Sequence, residues 1–206
     1  MHRGAWEKEF HDQTTRESRR LTRRTPSRAV DAVFVGSSIL SEWPELPAAF
    51  PGMSALNCAV SGAQTPDLRE RLDELVLRHA PRLVVYYAGS NDINADVAPA
   101  TVVDNVIDTW DRIRHRLADT AFVYLSIIRA PQKQDRLAAV DTVNVRLLRR
   151  AFGSPNFHFV DINPLLVNAD GQPRADFYQE DGLHLTPAAY EVLGAYLAPR
   201  LQSLLD

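Results

Sequence analysis

Short apolar runs and amphipathic segments alternate along the whole chain. Five apolar runs rich in Val, Ile, Phe and Tyr predict β-strands at residues 32–35, 54–60, 83–88, 121–128 and 157–162. Apolar residues spaced three or four apart predict helices around residues 68–76, 99–118 and 134–152, and from Thr186 or Pro187 to Leu205. Near-continuous apolar strands that alternate with helices are typical of a mainly parallel sheet in a three-layer α/β/α sandwich.

Residues 4–24 form a further predicted helix, which carries Trp6 and Phe10 on one side and is otherwise charged. Its arginine-rich end is either a patch for nucleic acid or lipid, or the solvated face of a helix that packs on the protein. No aromatic residues interleave the arginines for base stacking, which favours the packing helix. We therefore expect residues 1–28 to be a helical extension that packs on a single domain at 29–206.

Composition narrows the class of protein further. The chain is 45% hydrophobic and 24% charged with a net charge of −3, so no global field favours nucleic acid or an anionic membrane. No apolar run approaches the roughly 20 residues of a membrane span, and the amino terminus is too polar for a secretory signal. Cys58 is the one cysteine, so neither an intrachain disulfide nor a cysteine cluster for zinc can form. We expect a cytoplasmic protein without a nucleic-acid partner, and the oligomeric state stays open.

Polar residues follow several predicted strands at the points where those strands end. They are Ser37 and Ser38 after the first strand, Ser61 and Gly62 after the second, Asn91 and Asp92 after the third, and Asp181 and His184 near the end of the chain. The carboxyl ends of parallel strands share one edge of a sheet, so groups far apart in sequence can converge there.

These residue types are the ones that acyl transfer to a serine requires. A serine hydroxyl is unreactive at neutral pH unless a base such as His184 takes its proton. Asp181, three residues before that histidine, can hold the other ring nitrogen and stabilise the imidazolium. The backbone N–H groups of Ser38 and Gly62 and the side-chain amide of Asn91 can donate to a developing oxyanion.

Each of these residues also has a purely structural interpretation. Ser37 and Ser38 could cap the next helical turn, Asn91 and Asp92 could cap a helix, and Gly62 could simply permit a positive φ. Asp-Gly is a common turn dipeptide, and a nearby histidine could be a surface residue. The conjunction of all these groups at strand ends is much less expected by chance than any single member, which favours catalysis.

Other polar residues receive structural interpretations. Thr65 or Asp67 could cap the helix around residues 68–76. The remaining histidines lie on predicted helices or within a strand and are interpreted as structural or solvated: His2, His11, His79, His115 and His158. No H-x-x-x-H motif or acid-rich cluster indicates a metal site.

The motifs resemble those of the SGNH hydrolases, also called the GDSL esterase/lipase family. The similar segments are V-F-V-G-S-S-I, N-C-A-V-S-G-A-Q-T, A-G-S-N-D-I and D-G-L-H-L-T, which together extend from about residue 30 to 200. The resemblance assigns the nucleophile to Ser38, because Ser37 stands where other members have Asp. It implies the triad Ser38, Asp181 and His184, and an oxyanion hole formed by Ser38, Gly62 and Asn91.

The G-S-S-(x)4-W pattern that ends at Trp43 is similar to a subgroup with G-S-S in place of G-D-S. The resemblance implies a flavodoxin-like fold with five parallel strands. It also implies cofactor-free, two-step hydrolysis of a small-molecule ester, with a short acyl or acetyl group.

Two alternatives stay open at this point. Lysophospholipid or thioester hydrolysis would use the same chemistry. A Gly-Ser-Ser turn before a helix could instead hold the phosphate of a flavin in a non-enzymatic binding module. That second alternative gives no role to Asn91, Asp181 or His184. A catalytically inactive relative used for interaction is a further alternative, and the intact set of five candidate residues argues against it.

Overall fold

A computed structural model describes residues 30–206. The predicted extension at 1–28, with its helix at 4–24 and with His2 and His11, lies outside the described residues. The strands are β1 (Ala32–Gly36), β2 (Ala55–Asn57), β3 (Leu83–Tyr87), β4 (Ala121–Leu125) and β5 (Phe157–Val160). The α-helices are α1 (Ser38–Ser41), α2 (Thr65–Glu70), α3 (Leu72–Leu75), α4 (Ser90–Asn94), α5 (Pro99–Arg116), α6 (Leu137–Phe152) and α7 (Pro187–Gln202). Short 3-10 helices lie at Leu46–Ala49, Leu77–His79, Pro131–Arg136, Asn163–Leu165 and Ala175–Phe177.

The five strands form one parallel sheet in the order β2-β1-β3-β4-β5. Residues of β1 alternate between its two faces, because successive side chains of a strand point in opposite directions. Ala32 and Phe34 belong to a core that includes apolar residues of α1 and α7. Val33 and Val35 belong to a second core with α2, α3, α5 and α6. The three-layer α/β/α prediction is therefore confirmed.

The order of the strands reverses direction at β1. The chain passes from β1 outward to β2 and then returns to β3 on the other side of β1, where Gly36 pairs with Tyr87. Open α/β sheets bind ligands in the crevice at the carboxyl ends of strands at such a reversal. Ser38 follows β1 and Asn91 follows β3, so both lie at this edge.

Several predicted element boundaries need correction. The predicted strand at 54–60 is shorter in the structure, because β2 covers only Ala55–Asn57. The Asn57 side chain donates to Leu40 O at 2.7 Å and accepts from Ala59 N at 3.1 Å. The predicted strand at 121–128 ends at Leu125. The predicted helix at 134–152 starts as a 3-10 helix, and regular α-helical structure begins only at Leu137. Polar side chains that bond the backbone locally account for the first of these differences.

The helices can also be compared with the length and apolar character that a membrane span requires. No helix within residues 30–206 is long and apolar enough to cross a bilayer.

Replacing Gly36 with Ala is expected to destabilise the protein strongly. A Cβ atom at this position would lie 2.1 Å from Tyr87 O in the neighbouring strand, so β1 and β3 would have to separate. We expect a loss of about 3 kcal/mol in the free energy of unfolding, measured by urea denaturation. Gly153→Ala is the matched control, because a Cβ there would meet no atom within 4 Å. Equal losses in the two variants would contradict the prediction.

Candidate active site

Ser38 lies at the start of α1, directly beyond the carboxyl end of β1. Ser37 occupies the N-cap position of this helix, and its backbone N–H donates to Tyr87 O at 3.0 Å. The Ser37 side chain makes no capping hydrogen bond, so the capping interpretation describes its position but not its side chain. Ser38 is 7% exposed. Ser38 therefore lies at the sheet edge as a residue that keeps a small accessible surface.

Gly62 and Asn91 are joined through the backbone of the residue beside Gly62. Asn91 Nδ2 donates to Ala63 O at 3.0 Å. This hydrogen bond uses one of the two amide hydrogens of Asn91 and leaves the other for a second acceptor. Gly62 has φ of +75°, so the positive-φ interpretation of this glycine is confirmed. The helix α4 is preceded by Gly89 as N-cap, with φ of +109°. Neither Asn91 nor Asp92 therefore occupies the N-cap position, and the capping interpretation of this pair does not hold.

A buried carboxylate also ties these two segments together, through a contact between Asp92 and Thr65 that the sequence does not reveal. Asp92 accepts from Thr65 N at 3.1 Å and from Thr65 Oγ1 at 2.5 Å. Thr65 Oγ1 in turn accepts from Asn105 Nδ2 at 3.0 Å. Burial raises the pKa of the Asp92 carboxyl, although the hydrogen bonds from Thr65 oppose that shift. Asp92 thus holds α4 against the start of α2, which follows the loop that carries Gly62.

The start of α2 tests the two possible caps at this loop, Thr65 and Asp67. Gln64 is the N-cap residue of α2, and Thr65 is already its first helical residue. Asp67 lies within the first turn and accepts from Gln64 N at 2.8 Å. A carboxylate at this position satisfies a free backbone N–H and opposes the positive end of the helix dipole. Thr65 is therefore not the N-cap residue, whereas Asp67 caps the start of α2 as the partner of Gln64 in a capping box.

Asp181 and His184 form a compact pair in a turn. Asp181 Oδ2 is hydrogen-bonded to His184 Nδ1, and Asp181 Oδ1 accepts from the backbone N–H groups of Leu183 at 2.9 Å and His184 at 3.0 Å. Burial alone would raise the pKa of Asp181, but these backbone hydrogen bonds and the His184 ring outweigh it, so the pKa is lowered. The carboxyl is therefore held in its charged form. Such a partner fixes the ring orientation and directs Nε2 away from the turn.

This turn is anchored to the loop after β4. Gly182 has φ of +66°, and its carbonyl accepts from Gln132 N at 3.0 Å. Gln179 N donates to His184 O at 2.8 Å. The histidine thus sits on a turn that is bonded both within itself and to a neighbouring loop.

The other ring nitrogen of His184 faces α1. His184 Nε2 lies 3.5 Å from Glu42 Oε1, and Glu42 N donates to Ser38 O at 2.9 Å. Within residues 30–206, the hydrogen bonds do not include one between the Ser38 hydroxyl and the His184 ring. Catalytic hydrogen bonds are often long in enzymes without substrate and shorten in the reacting complex. The structure thus brings Asp181 and His184 together and aims the ring at the helix that begins with Ser38.

Lys133 is a second buried charged group near these segments, and no sequence motif marks it. It is fully buried in the loop after β4, and its Nζ donates to Ser90 O at 3.0 Å. Burial, with a smaller contribution from Arg136, lowers the pKa of Lys133 to about 8. Ser90 directly precedes Asn91, so a cationic amine is hydrogen-bonded to the residue next to the Asn91 amide.

The cysteine and the other histidines lie in surroundings that are typical of structural residues. Cys58 is fully buried 4.0 Å from His79 Nε2, and burial raises the pKa of its thiol to about 12. Burial also lowers the pKa of His79 and of His158 on β5. His115 lies on α5. Among residues 30–206, no group of three His, Cys, Asp or Glu side chains is placed to hold a metal ion.

Comparison with known proteins identifies the family. The family model described as GDSL-like Lipase/Acylhydrolase matches residues 34–192, a range that contains all five predicted site residues. The chain belongs to the GDSL-like lipase/acylhydrolase family and is a carboxylic ester hydrolase. The predicted resemblance and the predicted class of enzyme are therefore confirmed.

Individual relatives agree with this assignment. The platelet-activating factor acetylhydrolase IB subunit alpha1 from Homo sapiens is 28% identical over 169 residues, which cover 78% of this chain and 70% of the relative. A solved structure from Streptococcus pneumonia, named after platelet activating factor, is 21% identical with a TM-score of 0.85 and covers 96% of this chain and 97% of that one. A GDSL-like lipase from Bacteroides thetaiotaomicron is 20% identical with a TM-score of 0.77 and covers 92% and 97%. These two structures share the fold of this chain.

The buried amine of Lys133 predicts a specific pH dependence of stability. With a folded pKa of about 8 and an unfolded pKa near 10.4, the unfolded chain binds more protons between these values. The contribution of the Lys133 amine to the free energy of unfolding is therefore lowest below pH 8 and rises as the pH increases towards 10. We expect the unfolding free energy of wild type minus that of Lys133→Met to increase by about 2 kcal/mol from pH 7 to pH 10.

Urea denaturation of both proteins across this range measures that difference. Tyrosine ionisation occurs in both proteins and cancels in the subtraction. A difference that stays constant with pH would show that the Lys133 amine is not perturbed by folding.

Proposed function

We propose that this enzyme hydrolyses carboxylic esters with Ser38 as nucleophile, His184 as general base and Asp181 as the partner of the histidine. The backbone N–H groups of Ser38 and Gly62 and the side-chain amide of Asn91 form the oxyanion hole. The observation that carries the proposal is the Asp181–His184 pair, whose Nε2 faces the helix that starts at Ser38.

The reaction has two steps on these groups. Ser38 Oγ attacks the acyl carbon while His184 Nε2 takes the hydroxyl proton, and the tetrahedral intermediate then expels the alcohol, which receives that proton. Water next attacks the acyl-enzyme with His184 again as base, which releases the acid and restores the serine. Asp181 stabilises the imidazolium in both steps through Nδ1.

Short acyl groups are the substrates that the comparisons favour. The human relative is named an acetylhydrolase, and a structural neighbour from Geobacillus stearothermophilus is an acetylxylan esterase, with a TM-score of 0.69 at 14% identity and coverage of 86% of this chain and 96% of that one. We infer that acetyl and other short-chain esters are hydrolysed fastest. Lysophospholipids and thioesters would use the same serine, and family membership favours the hydrolase over a flavin-binding module.

Ser38→Ala is expected to abolish ester hydrolysis, because no other group can form the acyl-enzyme. The drop in kcat/KM for p-nitrophenyl acetate should be roughly 10⁴-fold or more, with little change in melting temperature. Ser37→Ala is the matched control in the same turn, and it should be comparatively mild. Retained activity in Ser38→Ala, or equal loss in the two variants, would mean that the nucleophile is assigned to the wrong residue.

Asn91→Ala is expected to remove one donor to the oxyanion. Loss of such a donor costs about 2.7–4 kcal/mol of transition-state stabilisation, or roughly 10²–10³-fold in kcat. Asn94→Ala on the same helix serves as the control. Because Asn91 also bonds Ala63 O, melting temperatures should be compared as well. A loss of kcat below tenfold would assign Asn91 a structural role only.

A further inference from the structure

The carboxylate of Glu42 lies at the reacting nitrogen of the histidine. Glu42 follows α1 directly, and its Oε1 is 3.5 Å from His184 Nε2. Its side chain is 39% exposed, so the negative charge faces both the ring and the solvent. At 3.5 Å the contact is longer than a normal hydrogen bond, which leaves the Nε2 lone pair free to accept a proton. Glu42 therefore acts on this site by charge and does not replace Asp181 as the ring's partner.

Proton transfer limits how far the leaving group can be from this charge. His184 Nε2 must come within about 2.6–3.2 Å of the leaving oxygen to protonate it. The leaving oxygen therefore lies within about 7 Å of Glu42 Oε1, and a substituent a few bonds further along can approach more closely. This separation is shorter than the Debye length of roughly 8 Å at physiological salt, so solvent ions do not fully screen the interaction.

No cationic side chain neutralises this carboxylate within the part of the chain that the structure describes. The basic residues on neighbouring loops are already engaged. Arg129 pairs with Asp141, Arg174 pairs with Asp176, and Lys133 is buried. Within residues 30–206, Glu42 therefore contributes a negative charge beside the leaving group that no cationic side chain pairs.

We propose that Glu42 is a specificity-determining residue that selects esters whose leaving alcohol carries a positive charge, such as esters of an amino alcohol. The same charge disfavours leaving alcohols that are anionic. The inference rests on the proposed function, because it requires His184 Nε2 to protonate the leaving group.

Acetylcholine and 3,3-dimethylbutyl acetate test the inference directly. They share the acyl group and the shape of the alcohol, and they differ in one positive charge. Acetate release by wild type and by Glu42→Gln, followed in a pH-stat, gives the ratio of kcat/KM for the charged ester to that for the neutral ester. One charge pair at this distance predicts that the ratio falls roughly tenfold in Glu42→Gln. In wild type, 0.5 M NaCl should also lower the ratio.

Glu70→Gln is the control for the loss of one negative charge. Glu70 is an exposed residue at the end of α2, and within residues 30–206 it makes no ion pair with His184. This variant should keep the wild-type ratio.

Each of the remaining outcomes would overturn either the specificity role of Glu42 or the proposed function. An unchanged ratio in Glu42→Gln would overturn the specificity role. An equal rise for both esters would show that Glu42 restrains the histidine before substrate binds, which also overturns it. Turnover of p-nitrophenyl acetate but of neither alkyl ester would do the same. Failure of wild type to hydrolyse p-nitrophenyl acetate as well would count against the proposed function itself.

Discussion

The end of β1 can lie beside β3 only because residue 36 has no side chain. The carbonyl of Tyr87 occupies the space that a Cβ would need, and Ser37 N donates to that same carbonyl. The turn that carries Ser38 is thus bonded to the strand that leads to Asn91. Because the order of strands reverses at β1, this contact lies where open α/β sheets commonly bind ligands.

Buried and partly buried charges lie in the segments at this edge of the sheet, and each has a distinct physical consequence. Asp92 accepts hydrogen bonds from Thr65 and holds two helix starts together, so its burial is partly compensated by hydrogen bonds. Lys133 makes a hydrogen bond to a neutral carbonyl, and its lowered pKa reflects incomplete compensation. Glu42 stays partly in solvent. Functional sites commonly keep such groups because the field at the reacting atoms matters more there than local stability.

Local patterns predicted the main elements well and their ends less well. Apolar runs located every strand, yet the second one ends at Asn57 because a polar side chain bonds the nearby backbone. Four residues at two helix starts were possible caps, and none of these occupies the N-cap position: Thr65, Asp67, Asn91 and Asp92. Cap positions depend on the backbone conformation of one residue, which composition alone does not specify.

By itself, the sequence determined the alternation of strands and helices and the polar residues that follow the strand ends. Those features are local, because they depend on side-chain periodicity and on short motifs. Only the tertiary structure decided which charges meet at the site. Asp92 and Thr65 are 27 positions apart and Lys133 and Ser90 are 43 apart, while Glu42 reaches His184 from the other end of the domain. Such contacts leave no periodic signal, since they form only when the loops at the sheet edge pack together.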